Sequence, residues 1–146
     1  MHVLFVAPEF PANQPRFVHA LTQVGARVTG IGEAPLHVLP QSLKERLHGY
    51  EQISSGTHPQ ALLDAVRRVQ SREWVDRLEA TVEAHVLAAA KVREVATMPG
   101  LSVKAATLCR DKPLMKNHLR EHGVACAATT GVEDVDGAIA FAEKHG

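Results

Sequence analysis

At 146 residues, 45% of them hydrophobic, the chain is long enough for one domain with a buried core, or one domain with an appendage. Its 16 basic and 16 acidic residues cancel, so no global field draws it to nucleic acid or an anionic membrane, and neither is expected as a partner. No apolar run approaches the roughly 18 residues of a membrane-spanning helix. The start, Met1-His2-Val3-Leu4-Phe5-Val6-Ala7-Pro8, lacks the basic flank and length of a secretory leader and reads as a strand. Two cysteines in a chain without an export signal are expected to be free thiols, which points to the cytoplasm.

The continuous apolar run over 3–7 predicts a strand covered on both faces. Residues 8–15 hold three prolines and form a loop, with Asn13 placed to cap a helix whose first turn tolerates Pro15. Phe17, Val18, Leu21 and Val24 recur at helical spacing, and Gly25 ends the helix. A second strand is predicted over 27–32. Residues 33–44 are irregular, broken by Pro35 and Pro40, with a short helix over 42–47 and a short edge strand over 50–53.

Thr57 caps a helix with Pro59 in its first turn and an apolar stripe of Ala61, Leu62, Ala65, Val66 and Val69. Residues 74–80 read as a strand of mixed polarity. Glu83 opens a long helix closed by Met98-Pro99-Gly100, and its Ala88-Ala89-Ala90 run allows close approach to the sheet. Ser102 caps a short helix over 103–108. Next comes the basic amphipathic stretch Arg110-Asp111-Lys112-Pro113-Leu114-Met115-Lys116, a Gly123 stop, a strand over 125–129, and a helix containing Phe141-Ala142-Glu143-Lys144. Alternating strands and helices predict an α/β fold with a parallel sheet flanked by helices, Rossmann-like, over 1–108, followed by a helix-strand-helix piece over 109–146.

A dinucleotide-binding domain needs a Gly-x-Gly-x-x-Gly loop directly after the first strand, and the loop 8–15 contains no glycine. Gly30-Ile31-Gly32 sits at the wrong place and reads as a turn. His118 and His122 are four apart, as on a metal-binding helix, but no third ligand stands at a diagnostic spacing and no metal is assigned. Neither Cys109 nor Cys126 lies in a Cys-x-x-Cys arrangement.

One family is suggested by an ordered set of motifs: Ala80-Thr81-Val82-Glu83-Ala84-His85, the alanine run 88–90, Pro99-Gly100-Leu101-Ser102, then Arg110-Asp111-Lys112 with Lys116 one turn on. In that order they resemble the ATP-grasp superfamily, specifically the pre-ATP-grasp domain of biotin-carboxylase-like and carbamoyl-phosphate-synthase-like proteins and the opening of the ATP-grasp domain. The resemblance implies a ligase that uses ATP and magnesium to activate a carboxylate as an acyl phosphate for attack by an amine or similar nucleophile. It implies small-molecule substrates and is compatible with a homodimer.

By the same resemblance Lys112 reaches the nucleotide phosphates; read from the residues alone it is a solvated lysine at a helix start. Arg110 either assists at the phosphates or pairs with an acidic neighbour, and Lys116 either adds basic character or is a plain surface lysine. Asp111 is an N-cap or first-turn acid. Glu83 compensates a helix dipole or shapes the cleft between domains. Pro8, Glu9, Phe10 and Asn13, on the loop at the carboxyl end of the first strand, are either a substrate-side loop or a rigid connection. In the family the principal ATP lysine and the metal-binding acids follow the position of Gly146, so these 146 residues alone are expected to be catalytically inert, with no tightly bound nucleotide or metal. The alternative is a non-enzymatic, flavodoxin-like or Rossmann-like module for binding ligands or proteins.

Overall fold

A computed structural model describes residues 1–145; the predicted second piece, 109–146, has its last residue, Gly146, outside them. The chain divides into two compact units, Met1–Val103 and a second that begins at Lys104.

The first unit is built on four parallel strands: β1 (His2–Val6), β2 (Arg27–Gly32), β3 (Gly49–Gln52) and β4 (Arg77–Glu79), in the spatial order β3-β2-β1-β4. The first connection is α1 (Gln14–Gln23), the second is irregular apart from a 3-10 turn (Leu36–Val38) and α2 (Gln41–Lys44), and the third is α3 (Pro59–Gln70). The helix α4 (Glu83–Val95) follows β4. The chain therefore steps outward from β1 to β3 and then crosses to the other side of β1, so the order reverses between β1 and β4.

Alternation explains the unbroken apolar run of β1. Leu4 and Val6 face the cluster that holds Leu62, Val66, Leu78 and Ala89, whereas Val3 and Phe5 face the one that holds Val18, Val28 and Leu43. The alanine run behaves as expected, with Ala88, Ala89 and Ala90 all buried. Gly25, at φ 78°, closes α1 from the left-handed region that a side chain disfavours. Among the described residues no helix is long and apolar enough to cross a membrane.

Several local expectations are corrected. Asn13 stands at the N-cap of α1 but in helical conformation and without a side-chain cap bond; its Oδ1 instead accepts from the Gln14 amide at 3.4 Å. The cap of α3 is His58, whose Nδ1 accepts from the Ala61 N–H at 3.4 Å, one residue beyond Thr57. The strand expected over 74–80 keeps only three paired residues, because its start is committed elsewhere: Trp74 gives its carbonyl to His2 and its indole N–H to Asp76. Gly30-Ile31-Gly32 is no turn but the end of β2.

The second unit contains α5 (Val103–Arg110) from its first turn onward, α6 (Lys112–Glu121) and α7 (Val135–His145). Asp111 caps α6, its Oδ1 accepting from the Leu114 N–H at 2.9 Å. The strand expected over 125–129 is absent. A strand needs a ladder partner, and here the segment is tied to α6 instead: Arg120 donates to the Ala127 carbonyl at 2.9 Å and the Cys126 thiol to the Lys116 carbonyl at 3.5 Å.

A polar cluster closes the amino end of the sheet. The buried His2 ring meets the Trp74 carbonyl through Nδ1 and the Thr29 hydroxyl through Nε2, each at 2.9 Å; a carbonyl only accepts, so Nδ1 carries the proton. The His2 backbone N–H at 2.6 Å and then the Trp74 indole at 3.0 Å hold the Asp76 carboxyl below the usual aspartate range. A carboxyl depressed on folding adds stability above its unfolded pKa, about 3.9 for Asp, and that stability is lost as pH falls through the folded value. The fall of the urea midpoint below about pH 4 is therefore expected to be shallower in Asp76→Asn than in the parent chain. An unchanged acid limb in that variant would contradict the assignment.

Candidate functional site

Ligands of open parallel sheets bind beyond the carboxyl ends of the strands, and there the loop after β1 folds over β2. Ala7, at φ 51°, makes the turn, with its N–H donating to the Ile31 carbonyl at 2.8 Å. The turn encloses a cavity of about 390 Å³ lined by Val6, Ala7, Glu9 and Phe10 from the first strand and loop, residues 31–34 from β2 and its exit, Gly56, and His85 from α4. That volume suits a small molecule.

Its polar groups are fixed from below. One Glu9 oxygen accepts from the Ala34 N–H at 3.4 Å, while Oε2 is buried without a partner. His85 Nδ1 is likewise buried and unpartnered. Glu33 Oε1 accepts from the Gly56 N–H at 2.8 Å. Tyr50 donates its hydroxyl to the Ala34 carbonyl at 2.7 Å; burial, then the Glu9 and Glu33 carboxylates, push its pKa up, so it stays protonated.

Two glycines make the arrangement possible. A methyl at Gly32 would stand 2.5 and 2.6 Å from the Glu9 oxygens and 2.5 Å from the Tyr50 hydroxyl. A methyl at Gly56 would stand 3.1 Å from the His85 ring. Glycine is present at both because polar side chains lie directly on the backbone.

Of the loop residues singled out from sequence, Glu9 and Phe10 line the cavity, Pro8 is buried beneath β2, and Asn13 borders a separate shallow depression with Arg16, Phe17 and Ala20. Gly32, Glu33, Tyr50 and His85 were not singled out as site residues. His85 belonged to a quoted motif, but no spacing rule links it to a glutamate 76 positions earlier.

In the second unit Lys112 is the first residue of α6 and exposed, Arg110 ends α5 and is exposed, and Lys116 follows Lys112 by one turn and is half-buried. The Lys112 ammonium makes no hydrogen bond or ion pair among the described residues. Asp111 next to it is engaged in capping. The histidine pair gains a third neighbour that i,i+4 spacing alone did not reveal: ligand atoms of His118, Glu121 and His122 lie within 4.8 Å of one another. The group is largely exposed, and His122 Nδ1 is already bonded to the His118 carbonyl at 2.8 Å.

No family model and no curated protein matches the sequence. Solved structures do match in fold. Phosphoribosylglycinamide synthetase from Anaerococcus prevotii superposes on 98% of this chain at 14% identity with a TM-score of 0.72. L-amino acid ligase from Bacillus licheniformis superposes on 87% at 19% identity with a TM-score of 0.67. The chain spans about a third of each, 34% and 31% of their lengths. At these identities the likeness is one of fold.

Proposed function

We propose that the chain is the N-terminal part of an ATP-dependent ligase of the ATP-grasp type, joining a carboxylate to an amine or similar nucleophile. The observation that carries this reading is the likeness in fold over 98% of the chain to one synthetase and over 87% to a ligase, with Arg110-Asp111-Lys112 and the helix after it in the expected order. In this reading MgATP would supply the phosphoryl group that activates the carboxylate, and its metal-binding acids would come from residues beyond those of this chain.

The residues present suit a polyphosphate. Lys112 offers an ammonium with no acidic partner among the described residues, the adjacent Asp111 caps the helix, and Arg110 and Lys116 add positive charge close by in sequence. Positive groups of this kind stabilise charge on phosphate oxygens during transfer. Among its described residues the second unit buries only Ala106, so it is a lobe with little core of its own, as expected of a piece that further chain would complete.

The test is Lys112→Ala in the protein extended through its nucleotide site. A charge-assisted contact to phosphate is worth about 1.5–3 kcal/mol, so KM for ATP should rise about 10-fold or more while the circular dichroism spectrum and melting stay unchanged. The 146-residue chain serves as the control in calorimetry and should form no tight magnesium-dependent complex with ATP. An unchanged KM in the variant would reduce Lys112 to a surface charge.

A further inference from the structure

We infer that the cavity over β1 and β2 recognises a small cationic compound, a primary amine or guanidinium, whose positive group is held by Glu9; placed on the ligase reading above, this names the class of one of its substrates, anchored through its cationic group.

The cavity is lined by two carboxylates, Glu9 and Glu33, with His85 and apolar walls, and by no lysine or arginine. A phosphate or carboxylate entering it would meet like charge without compensation. A cation meets Glu9 Oε2, which is buried and has no donor. Burying an unpaired carboxylate oxygen is costly, and a ligand N–H removes that cost where a hydrocarbon does not.

The surroundings hold Glu9 for this task. The Ala34 N–H takes its other oxygen, and Gly32 leaves no side chain between the carboxylate and β2. The Tyr50 hydroxyl is committed to the Ala34 carbonyl and so does not act as the missing donor. His85 also lines the cavity, its Nδ1 without a hydrogen-bond partner among the described residues, and Val6, Ile31 and Phe10 offer apolar surface to the body of the ligand. The arrangement differs from one for a phosphorylated sugar, which would call for cations or a glycine-rich loop where this chain has Pro8 and Glu9.

The test is titration of the isotope-labelled chain, followed by amide NMR, with n-butylammonium and with n-butanol, butyrate and inorganic phosphate for comparison. Butylammonium should shift the amides of Ala7, Glu9, Phe10, Gly32 and Gly56 saturably; butanol should bind about 10-fold more weakly, and the two anions should leave these amides unmoved. Glu9→Gln, nearly isosteric, should reduce butylammonium affinity about 10-fold while amides away from the cavity keep their positions, which shows that the fold is intact. Glu33→Gln gives an independent second variant with a smaller loss. Equal binding of butanol and butylammonium, an undiminished response in Glu9→Gln, preference for an anion, or no saturable response would each overturn the inference. Its failure is separable from that of the ligase reading: a rise in KM for ATP in Lys112→Ala alongside no amine binding removes the cationic substrate only, whereas amine binding with an unchanged KM leaves a cation-binding module.

Discussion

Arg93→Ala is expected to destabilise the first unit by about 3–5 kcal/mol, because it uncovers buried acceptors and leaves a cavity together. Arg93 is only 4% exposed. Its NH1 donates to the Leu78 carbonyl at 2.7 Å, and Nε and NH2 donate to the Leu101 carbonyl at 3.3 and 3.2 Å. One guanidinium therefore fastens β4, α4 and the segment leading to Ser102. Burial lowers its pKa and Glu79, at 3.9 Å, opposes that shift, so the group stays charged. Gly100, at φ 149°, passes so close that a methyl there would stand 2.6 Å from Arg93 Cδ. Arg93→Lys should recover only part of the loss, since an ammonium lacks the fork that reaches two carbonyls at once. In urea denaturation followed by circular dichroism, a loss below about 1 kcal/mol in the alanine variant would show that water replaces the guanidinium without penalty.

Arg93 also marks where sequence reading ran out. It sits in a helix read as an alanine-rich apolar face, and a lone arginine in such a pattern looks like a surface residue. Only the return of the chain through Gly100 and Leu101 gives it carbonyls to bond. The parallel sheet was legible because β1 carries an unbroken apolar run, as a strand covered on both faces does, and because strands and helices alternate along the chain. The stretch over 74–80 was read too long because periodicity cannot reveal that the Trp74 carbonyl is taken by His2, 72 positions away. Asn13 stands at the right helix end, yet it does not cap, since its backbone is itself helical and its oxygen meets the Gln14 amide instead. In the cavity, the loop carrying Glu9 could be located from the strand before it. His85 and Gly32 join it only through tertiary structure, and a glycine that admits a carboxylate looks in sequence like one that makes a turn.

That ambiguity yields the second large effect, since Gly30 and Gly32 lie two apart on one face of β2 and share Tyr50 but otherwise meet different neighbours. A methyl at Gly30 would stand 2.8 Å from Pro8 Cγ, 2.9 Å from Tyr50 Cδ2 and 3.3 Å from Leu47 Cδ1. Two of these atoms belong to rings that cannot swing aside, so Gly30→Ala is expected to cost about 1–3 kcal/mol in urea denaturation, as overpacking does. A methyl at Gly32 presses instead on the ends of polar side chains, the Glu9 carboxylate and the Tyr50 hydroxyl. Glu9 is half-buried and can rotate toward water, but the Tyr50 hydroxyl ends the same rigid ring, so the stability loss should be of similar size, about 1–3 kcal/mol. The two variants part in their effect on binding. Gly32→Ala displaces the carboxylate from the cavity and should abolish the butylammonium response, whereas Gly30→Ala, in the fraction that remains folded, keeps Glu9 against the Ala34 N–H and should retain it. A Gly32→Ala chain that binds the amine as tightly as the parent would show that Glu9 does not need its close seat on β2 to hold a cation.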